Sequence, residues 1–253
     1  MARTWPRTRA SSAGVRSPVA SCAVRVVSFN IHHGTVGTDG PVDPEQLGEV
    51  CLAFEADVIC LQEVDRGTKR SGRRDLAAIA ARGCGMDHVF GPSTRLGGGH
   101  YGNATLVRGE IRWSRVVRLP RVPRVQLWQE RRTLLQADVH TDHGSVQVWN
   151  VHLAAPSAIQ AAQFATLLRR AGHVEVPLVV AGDFNRLGGA VLPQAAQVGL
   201  AAADHGPTFP AHPPRSDIDH VLVSEHFGVQ RSEVVPTAMS DHAALVVDLG
   251  LRP

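Results

Sequence analysis

An aspartate and an asparagine at the end of one apolar stretch are placed to do acid–base or metal chemistry. Gly182-Asp183-Phe184-Asn185 follows the apolar run 176–181, which predicts a buried strand that ends in a carboxylate and a carboxamide. A carboxylate can hold a nucleophilic water or a divalent cation, and a carboxamide can donate a hydrogen bond to an oxyanion. Because Asx residues after glycine are also common in turns, these four residues alone leave a turn and a catalytic corner equally open.

Further polar residues mark the ends of other apolar stretches. They are Asn30, Glu63, His152, Asp219, Asp241 and His242. One such residue would be explained as a cap, whereas six or more at separate strands indicate a shared cleft. Glu63, with Asn30 beside it and Asp241 across this cleft, forms a set of hard oxygen ligands that suits Mg²⁺ or Mn²⁺ rather than Zn²⁺.

The elements that must position these residues alternate between strand and helix patterns. Helices are predicted at 44–54, 75–83 and 156–172, the first of them because Asp43-Pro44 supplies a capping residue and a proline at the first helical position. Strands are predicted at 24–30, 56–63, 104–107, 133–141, 145–153, 176–181, 221–224 and 243–249. No internal repeat or linker is visible, so we predict one domain at residues 24–250 and a disordered Arg/Ser-rich extension at residues 1–23.

Composition restricts the class of protein. The 253 residues are 43% hydrophobic, which suits one α/β domain. No stretch approaches the ~18 consecutive apolar residues of a membrane span. Five arginines and no acid lie in residues 1–25, and subtracting them from the net charge of +3 leaves about −2 for the rest of the chain. The alkaline pI therefore does not by itself indicate a nucleic-acid surface, although nucleic acid stays possible as a partner.

The four cysteines indicate a reducing compartment. They show no C-x-x-C spacing, and Cys51 and Cys60 lie in apolar segments, so they are expected to be small buried residues rather than disulfide or metal ligands. We therefore expect a cytoplasmic protein, and we expect a monomer.

Several local assignments stay open or depend on context. Residues 66–75 carry five basic residues against Asp75 and predict either a solvated basic loop or one that faces phosphate. Between positions 108 and 132 eight arginines meet only two acids. His32 and His33 could approach a metal near Asn30 or could face solvent.

Other side chains are assigned by their surroundings in the sequence. Tyr101 and Asn103 are expected to be exposed in a glycine-rich loop. Asp65 and Asp217 are interpreted as loop residues. Core positions are expected for three tryptophans, which are Trp113, Trp128 and Trp149.

Seven short motifs, taken in order, resemble those of the endonuclease/exonuclease/phosphatase superfamily, which is deoxyribonuclease I-like. The motifs are Ser28-Phe29-Asn30, Leu61-Gln62-Glu63-Val64-Asp65, Tyr101-Gly102-Asn103-Ala104, Asn150-Val151-His152-Leu153, Gly182-Asp183-Phe184-Asn185, Ile218-Asp219-His220-Val221 and Ser240-Asp241-His242. This resemblance covers residues 24–249. It implies a four-layered α/β sandwich, in which two mixed β-sheets lie face to face and are flanked by helices.

The resemblance also implies roles for individual residues. Glu63 would be the principal metal ligand, supported by Asn30 and Asp241. Asp219 would hold His242, and Asp183 would orient the attacking water. The remaining implied contacts to phosphate come from Asn185, His152, Tyr101, Asn103 and Arg132, where Arg132 is preferred over its neighbour Arg131.

These roles predict a divalent-metal-dependent phosphoesterase that hydrolyses a P–O ester bond by in-line attack of an activated water. A phosphodiester is the first choice of substrate. The alternatives are a phosphomonoesterase that acts on a small soluble or lipid-derived phosphate, and a non-catalytic binding module on the same fold.

Overall fold

Two six-stranded sheets form the centre of the molecule. The computed structural model describes residues 23–121, 130–155 and 157–252. The predicted extension lies, apart from Ala23, outside the described residues, as do Cys22 and Trp128. The first sheet has the order β11-β12-β1-β2-β4-β3 and the second has the order β5-β6-β7-β8-β10-β9.

The strands of the first sheet are β1 (Ala23–Asn30), β2 (Val58–Arg66), β3 (Asp87–Leu96), β4 (Gly99–Val107), β11 (Phe227–Val235) and β12 (Ala244–Leu251). Those of the second are β5 (Glu110–Arg118), β6 (Thr133–Thr141), β7 (Gly144–His152), β8 (Leu178–Asp183), β9 (Ala201–Ala202) and β10 (Asp219–Val223). Both sheets are mixed, because β1 pairs in parallel with β2 and β7 pairs in parallel with β8, while the other neighbours are antiparallel.

Four helices cover the outer faces of the sheets. They are α1 (Pro44–Ala53), α2 (Leu76–Cys84), α3 (Ala158–Ala171) and α4 (Gly188–Ala196). Side-chain caps begin three of them, since Asp43, Asp75 and Ser157 each accept a hydrogen bond from a backbone N–H three residues ahead. The described helices do not include one whose length and apolar content would allow it to cross a bilayer.

Apolar side chains fill three layers between these elements. Val26 and Val148, from opposite sheets, belong to the cluster between the sheets. Leu47 of α1 belongs to the cluster under the first sheet, and Phe164 of α3 to the cluster under the second. Because the central strands are buried on both faces, their sequences are nearly continuous apolar runs. The four-layered α/β sandwich is therefore confirmed.

Edge strands and one bulge account for the differences from the predicted elements. The sequence did not predict β3 or β11, which lie at the sheet edges and carry many polar side chains. β2 does not end at Glu63 but continues to Arg66 across a register shift between Leu61 and Val64. Asp65 consequently lies in this strand and is fully buried, so its assignment to a loop was wrong.

The predictions for cysteines and tryptophans had mixed outcomes. Cys51, Cys60 and Cys84 are buried, as expected. Trp149 is in the core, but Trp113 is 41% exposed on β5, an edge strand, so its prediction was wrong. An edge strand has one less neighbour to cover its side chains, which the sequence pattern does not reveal.

Candidate active site

Strand pairing brings the predicted polar residues to one end of the two sheets. In the second sheet Asp183 at the end of β8 is the pairing partner both of His152 on β7 and of Asp219 on β10. In the first sheet Asn30 ends β1 and pairs with Gln62, next to Glu63. A cleft therefore forms where the two rows of strand ends face each other.

Asp183 lies at the centre of this cleft and is 2% exposed. Its Oδ2 accepts a hydrogen bond from Asn30 Nδ2 at 3.0 Å and lies 3.4 Å from His152 Nε2 and 3.8 Å from His242 Nε2. Its Oδ1 accepts from the backbone N–H of Asn185 at 2.8 Å. Burial, reinforced by the nearby charge of Asp219, raises the pKa of Asp183 to about 7.

The glycine before Asp183 is required by close packing of the two parallel strands. Gly182 has φ 155, and a Cβ at this position would overlap the carbonyl oxygen of Val151 on β7. Asn185 adopts a left-handed φ of 49 and donates through Nδ2 to Leu153 O at 3.1 Å. The Gly-Asp-Phe-Asn sequence is thus a strained strand end that projects both polar side chains into the cleft.

The carboxylate of Asp219 orients His242, one of the two histidines that face Asp183. His242 Nδ1 lies 2.9 Å from Asp219 Oδ2, which also accepts from Thr208 Oγ1 at 2.6 Å. The His242 backbone N–H donates to Ser240 Oγ at 3.1 Å, which anchors the start of the loop. Burial opposes the charged ring, but Asp219, followed by Asp183 and Asp241, outweighs it and raises the pKa of His242 to about 10.

The other histidine of the cleft is held neutral. Arg132 Nη1 lies 2.8 Å from His152 Nδ1, and since a guanidinium can only donate, Nδ1 is the acceptor and Nε2 carries the proton. Burial, together with the charges of Arg132 and His242, places the pKa of His152 well below its usual value. His152 is therefore a neutral hydrogen-bond donor directed into the cleft. Arg131 is exposed instead, so the structure brings Arg132 rather than Arg131 to the site.

Glu63 lies at the bulge in β2 and adopts a left-handed φ of 59. Bulges commonly redirect a side chain beside an active site, and this one turns Glu63 towards Asn30, whose Nδ2 lies 3.2 Å from Glu63 Oε1. The sequence predicted Glu63 as the end of a strand. The positive φ of Glu63 depends on the non-local pairing of β2 with β4, so the sequence alone could not predict it.

Two histidines next to Asn30 join the predicted metal ligands. Ligand atoms of His32, His33 and Glu63 lie within 4.8 Å of one another. Asp241 Oδ1 lies 3.7 Å from His32 Nδ1. His33 Nδ1 is buried and has no hydrogen-bond partner within the described residues. An unpartnered ring nitrogen near the Glu63 carboxylate fits a divalent cation, so the donor set can hold a metal ion.

A further trio with suitable spacing lies deeper in the cleft. It consists of Asp183, Asp219 and His242, whose ligand atoms also lie within 4.8 Å of one another and are all buried. Asp219 Oδ1 has no hydrogen-bond partner among the described residues. Buried carboxylate oxygens without partners are rare in folded proteins, so Asp219 Oδ1 is free to accept a hydrogen bond from a ligand or to bind a cation.

Tyr101 and Asn103 are not exposed, so that expectation was wrong. Both belong to β4, which begins at Gly99 and lies between β2 and β3, and they are 3% and 2% exposed. Asn103 Nδ2 donates to Thr133 O of the second sheet at 3.3 Å. Burial and the charge of Glu63 raise the pKa of the Tyr101 phenol, so this side chain stays protonated near neutral pH.

The basic segment 66–75 is anchored by structural contacts. Arg70 donates two hydrogen bonds to Asp65, at 2.6 and 2.9 Å, and its guanidinium lies 5.4 Å from the centre of the Tyr101 ring. Arg74 pairs with Glu45, and Arg66 stacks over the ring of Phe90 at 4.4 Å. Three of the five basic residues thus make structural contacts. The sequence had predicted only a solvated loop or a loop that faces phosphate.

Comparisons with known proteins agree with this geometry. A family model described as the Endonuclease/Exonuclease/phosphatase family matches residues 27–242. No curated protein matches the chain. Among solved structures, an endonuclease/exonuclease/phosphatase from Beutenbergia cavernae is similar with a TM-score of 0.75 and 28% identity, covering 90% of this chain and 72% of that one.

Two more distant structures share the fold. The human nocturnin catalytic domain with bound sulfate is similar with a TM-score of 0.70 and 19% identity over 92% of this chain and 96% of that one. The mannosyl-6-phosphatase of Bacteroides thetaiotaomicron is similar with a TM-score of 0.69 and 16% identity over 89% and 99%.

Proposed function

Because the chain belongs to the endonuclease/exonuclease/phosphatase family, we propose that it is a divalent-metal-dependent phosphoesterase that hydrolyses a phosphodiester by in-line attack of water. The observation that carries this proposal is the position of Asp183, a buried carboxylate that faces two histidines in different states. Two titratable groups whose pKa values are driven apart by their surroundings are typical of acid–base sites.

Proton transfer from the attacking water is assigned to Asp183. A carboxylate whose pKa is about 7 is a far better base than an ordinary aspartate and still accepts a proton near neutrality. His242, held by Asp219, supplies the positive charge that keeps Asp183 ionised for this step. The proton of the water passes to Asp183 as the new P–O bond forms. The bond to the leaving oxygen breaks, its electron pair stays on that oxygen, and the leaving group departs as an oxyanion.

Charge on the phosphoryl oxygens is neutralised from several sides. His152 Nε2 and Asn185 Nδ2 lie 3.3 Å apart and both face the cleft, where each can donate to a non-bridging oxygen. Arg132 keeps His152 in the required tautomer and adds its own charge. Tyr101 and Asn103 support this wall from β4 rather than contact solvent.

The metal ligands we propose are Glu63 and Asp241, with Asn30 orienting Glu63 through its amide group. A bound Mg²⁺ or Mn²⁺ would supply electrostatic stabilisation of the charge that develops on the phosphoryl group. The unpartnered Nδ1 of His33 offers an additional nitrogen ligand.

A phosphoesterase assay with a matched acid variant tests the proposal. Wild type, Asp183→Asn, Glu63→Gln and the exposed-acid control Asp87→Asn would be incubated with bis(p-nitrophenyl) phosphate and with p-nitrophenyl phosphate, in Mg²⁺, Mn²⁺ or EDTA. We expect both site variants to lose on the order of 10² or more in kcat, because each removes a group that acts in the transition state. The control variant should match wild type.

The outcomes separate the candidate functions. Turnover of the monoester alone would favour a phosphomonoesterase. Full activity in EDTA would contradict the metal requirement, and no turnover of either ester would favour the binding module.

Compartment and assembly complete the proposal. The three described cysteines are buried and unpaired, which supports a reducing compartment such as the cytoplasm. We expect a monomer, which sedimentation of the purified protein would test.

A further inference from the structure

A cavity of about 510 Å³ lies between the end of β5, the start of β6 and the middle of β3, and it shares Arg132 with the candidate active site. Arginine side chains line it, namely Arg118, Arg121, Arg131 and Arg132, together with one acid, Glu130. This volume falls within the range of about 300 to 1,000 Å³ that is usual for small-ligand sites. These four arginines, three of which the proposed catalytic roles leave unused, therefore line one cavity.

The cavity carries an excess of positive charge. Arg132 is the only one of the four that pairs with a carboxylate of the described residues, at 3.3 Å from Glu130. Arg118, Arg121 and Arg131 have no such partner in that part of the chain and are exposed. Cations gathered in a concave site raise the local concentration of anions, so the cavity favours an anionic ligand.

Backbone contacts hold the walls in place. Arg118 on β5 is the pairing partner of Thr133 on β6, and Leu119 N donates to Arg132 O at 3.1 Å. Gln163 of α3 donates to Pro120 O at 3.0 Å, and its Oε1 accepts from Ala154 N at 2.9 Å. Arg118 and Arg132 are thus presented by paired backbone segments, which distinguishes them from cations scattered over a surface.

Arg132 connects the cavity to the proposed site of hydrolysis. One face of its guanidinium contacts His152 Nδ1 at 2.8 Å, and the residue also lines the cavity. A phosphate held by His152 and Asn185 would therefore have Arg132 and the cavity on one side, where one of its ester substituents can extend.

A smaller cavity extends the same lining. It has a volume of about 340 Å³, shares Ser93 and Arg131 with the larger one, and adds Arg95 and His100. The positive lining accordingly continues away from the catalytic cleft.

We propose that the arginine-lined cavity binds a second phosphate group of the substrate, carried on the ester substituent next to the phosphate that is hydrolysed. This inference rests on the proposed phosphoesterase function. Guanidinium groups suit the role because their planar arrangement of donors matches the oxygens of a phosphate, and charge-assisted hydrogen bonds are stronger than neutral ones. The enzyme would then select bis-phosphorylated over mono-phosphorylated substrates.

Two matched esters test the selection. Thymidine 5′-(p-nitrophenyl phosphate) and its 3′-phosphorylated form differ only in the second phosphate, and each releases p-nitrophenol on hydrolysis. We expect wild type to show a kcat/KM at least about tenfold higher for the 3′-phosphorylated ester, as one or two charge-assisted contacts would give. Arg118→Gln with Arg121→Gln should reduce this ratio to about twofold or less. Arg115→Gln, an exposed arginine of the same strand that does not line the cavity, should keep it.

Ionic strength and product binding provide independent measurements. The ratio of kcat/KM for the 3′-phosphorylated ester to kcat/KM for the unphosphorylated ester should fall as NaCl rises to about 1 M, because salt screens exposed charges. Calorimetric titration with thymidine 3′,5′-bisphosphate and thymidine 5′-monophosphate should show the same preference without turnover.

The outcomes distinguish this inference from the proposed function. Hydrolysis of both esters with equal kcat/KM would overturn the inference and leave the phosphoesterase function intact. If neither ester is hydrolysed, the proposed function fails, and equal affinity for the two nucleotides would then reject the cavity as a phosphate site. If the Arg118→Gln, Arg121→Gln double variant keeps the preference for the 3′-phosphorylated ester, the inference of a second phosphate site is also overturned.

Discussion

Asn150 joins the two sheets beneath the active site, and its replacement provides a demanding test of this structure. The side chain is fully buried on β7. Its Nδ2 donates to two carbonyl oxygens of the first sheet, Leu61 O at 3.0 Å and Ala104 O at 2.8 Å. Its Oδ1 accepts from Gln62 Nε2 at 2.9 Å. Because Leu61 precedes the bulge that carries Glu63, this contact also supports the metal ligand.

Asn150→Leu keeps the approximate volume of the side chain and removes all three hydrogen bonds. Gln62 retains its bond to Cys60 O, but the carbonyls of Leu61 and Ala104 each lose a partner in a buried position. A buried polar group left without a partner costs about 1 to 3 kcal/mol. We therefore expect the free energy of unfolding to fall by roughly 2 to 6 kcal/mol, a large part of the ~5 to 15 kcal/mol that is usual for a domain.

Urea unfolding in EDTA, followed by tryptophan fluorescence, measures this difference without a contribution from bound metal. Gln147→Glu is the matched control on the same strand, because glutamate keeps an acceptor for Trp149 Nε1, which lies 3.2 Å from Gln147 Oε1 in a partly exposed position. We expect that control to cost less than about 1 kcal/mol. A cost for Asn150→Leu as small as that of the control would refute the inter-sheet role.

Two further predictions concern the histidines of the cleft. Burial, together with the charges of Arg70 and His32, lowers the pKa of His33 to about 4, so its ring is neutral and can bind a metal at pH 7. Pulsed electron paramagnetic resonance of the Mn²⁺-loaded protein should show ¹⁴N coupling that weakens in His33→Gln but persists in the surface control His88→Gln; unchanged coupling would exclude His33 as a ligand. The raised pKa of His242 should stabilise the metal-free protein fully below pH ~6.5 and progressively less as pH rises through about 10. The Tm advantage of wild type over His242→Gln should therefore be larger at pH 6 than at pH 10, and a constant difference would contradict the Asp219–His242 pairing.

Much of the fold follows from local patterns in the sequence. The helix at residues 44–53 begins where the capping residue Asp43 predicts it, because a cap satisfies backbone donors within one turn. The helix predicted at 75–83 is found at 76–84, and Asp75 caps it. The central strands were recognisable as apolar runs, since burial on both faces removes the alternation of polar residues. Edge strands such as β11 were missed because they are neither marked by a capping residue nor buried on both faces.

The residue types of the site were also recognisable in the sequence. Glu63, His152, Asp183, Asp219 and His242 each end or open an apolar strand, and their order along the chain matched one family. Asp and Asn are disfavoured in strands, so their repeated occurrence at the ends of apolar strands indicated a functional site.

The tertiary structure alone decided which of these residues meet and in what state. The contact between Asn30 and Asp183 spans 153 positions, and that between Ser240 and Asn30 spans 210. Burial of Tyr101 and Asn103 depends on a neighbouring strand that the sequence did not predict. Burial and Arg132, which is 20 positions away, lower the pKa of His152, whereas Asp219, which is 23 positions away, and Asp183 raise the pKa of His242 against the effect of burial. Local sequence fixes conformation through interactions within a few residues, whereas charge, burial and the arginine-lined cavity depend on pairing between strands that only the folded chain brings together.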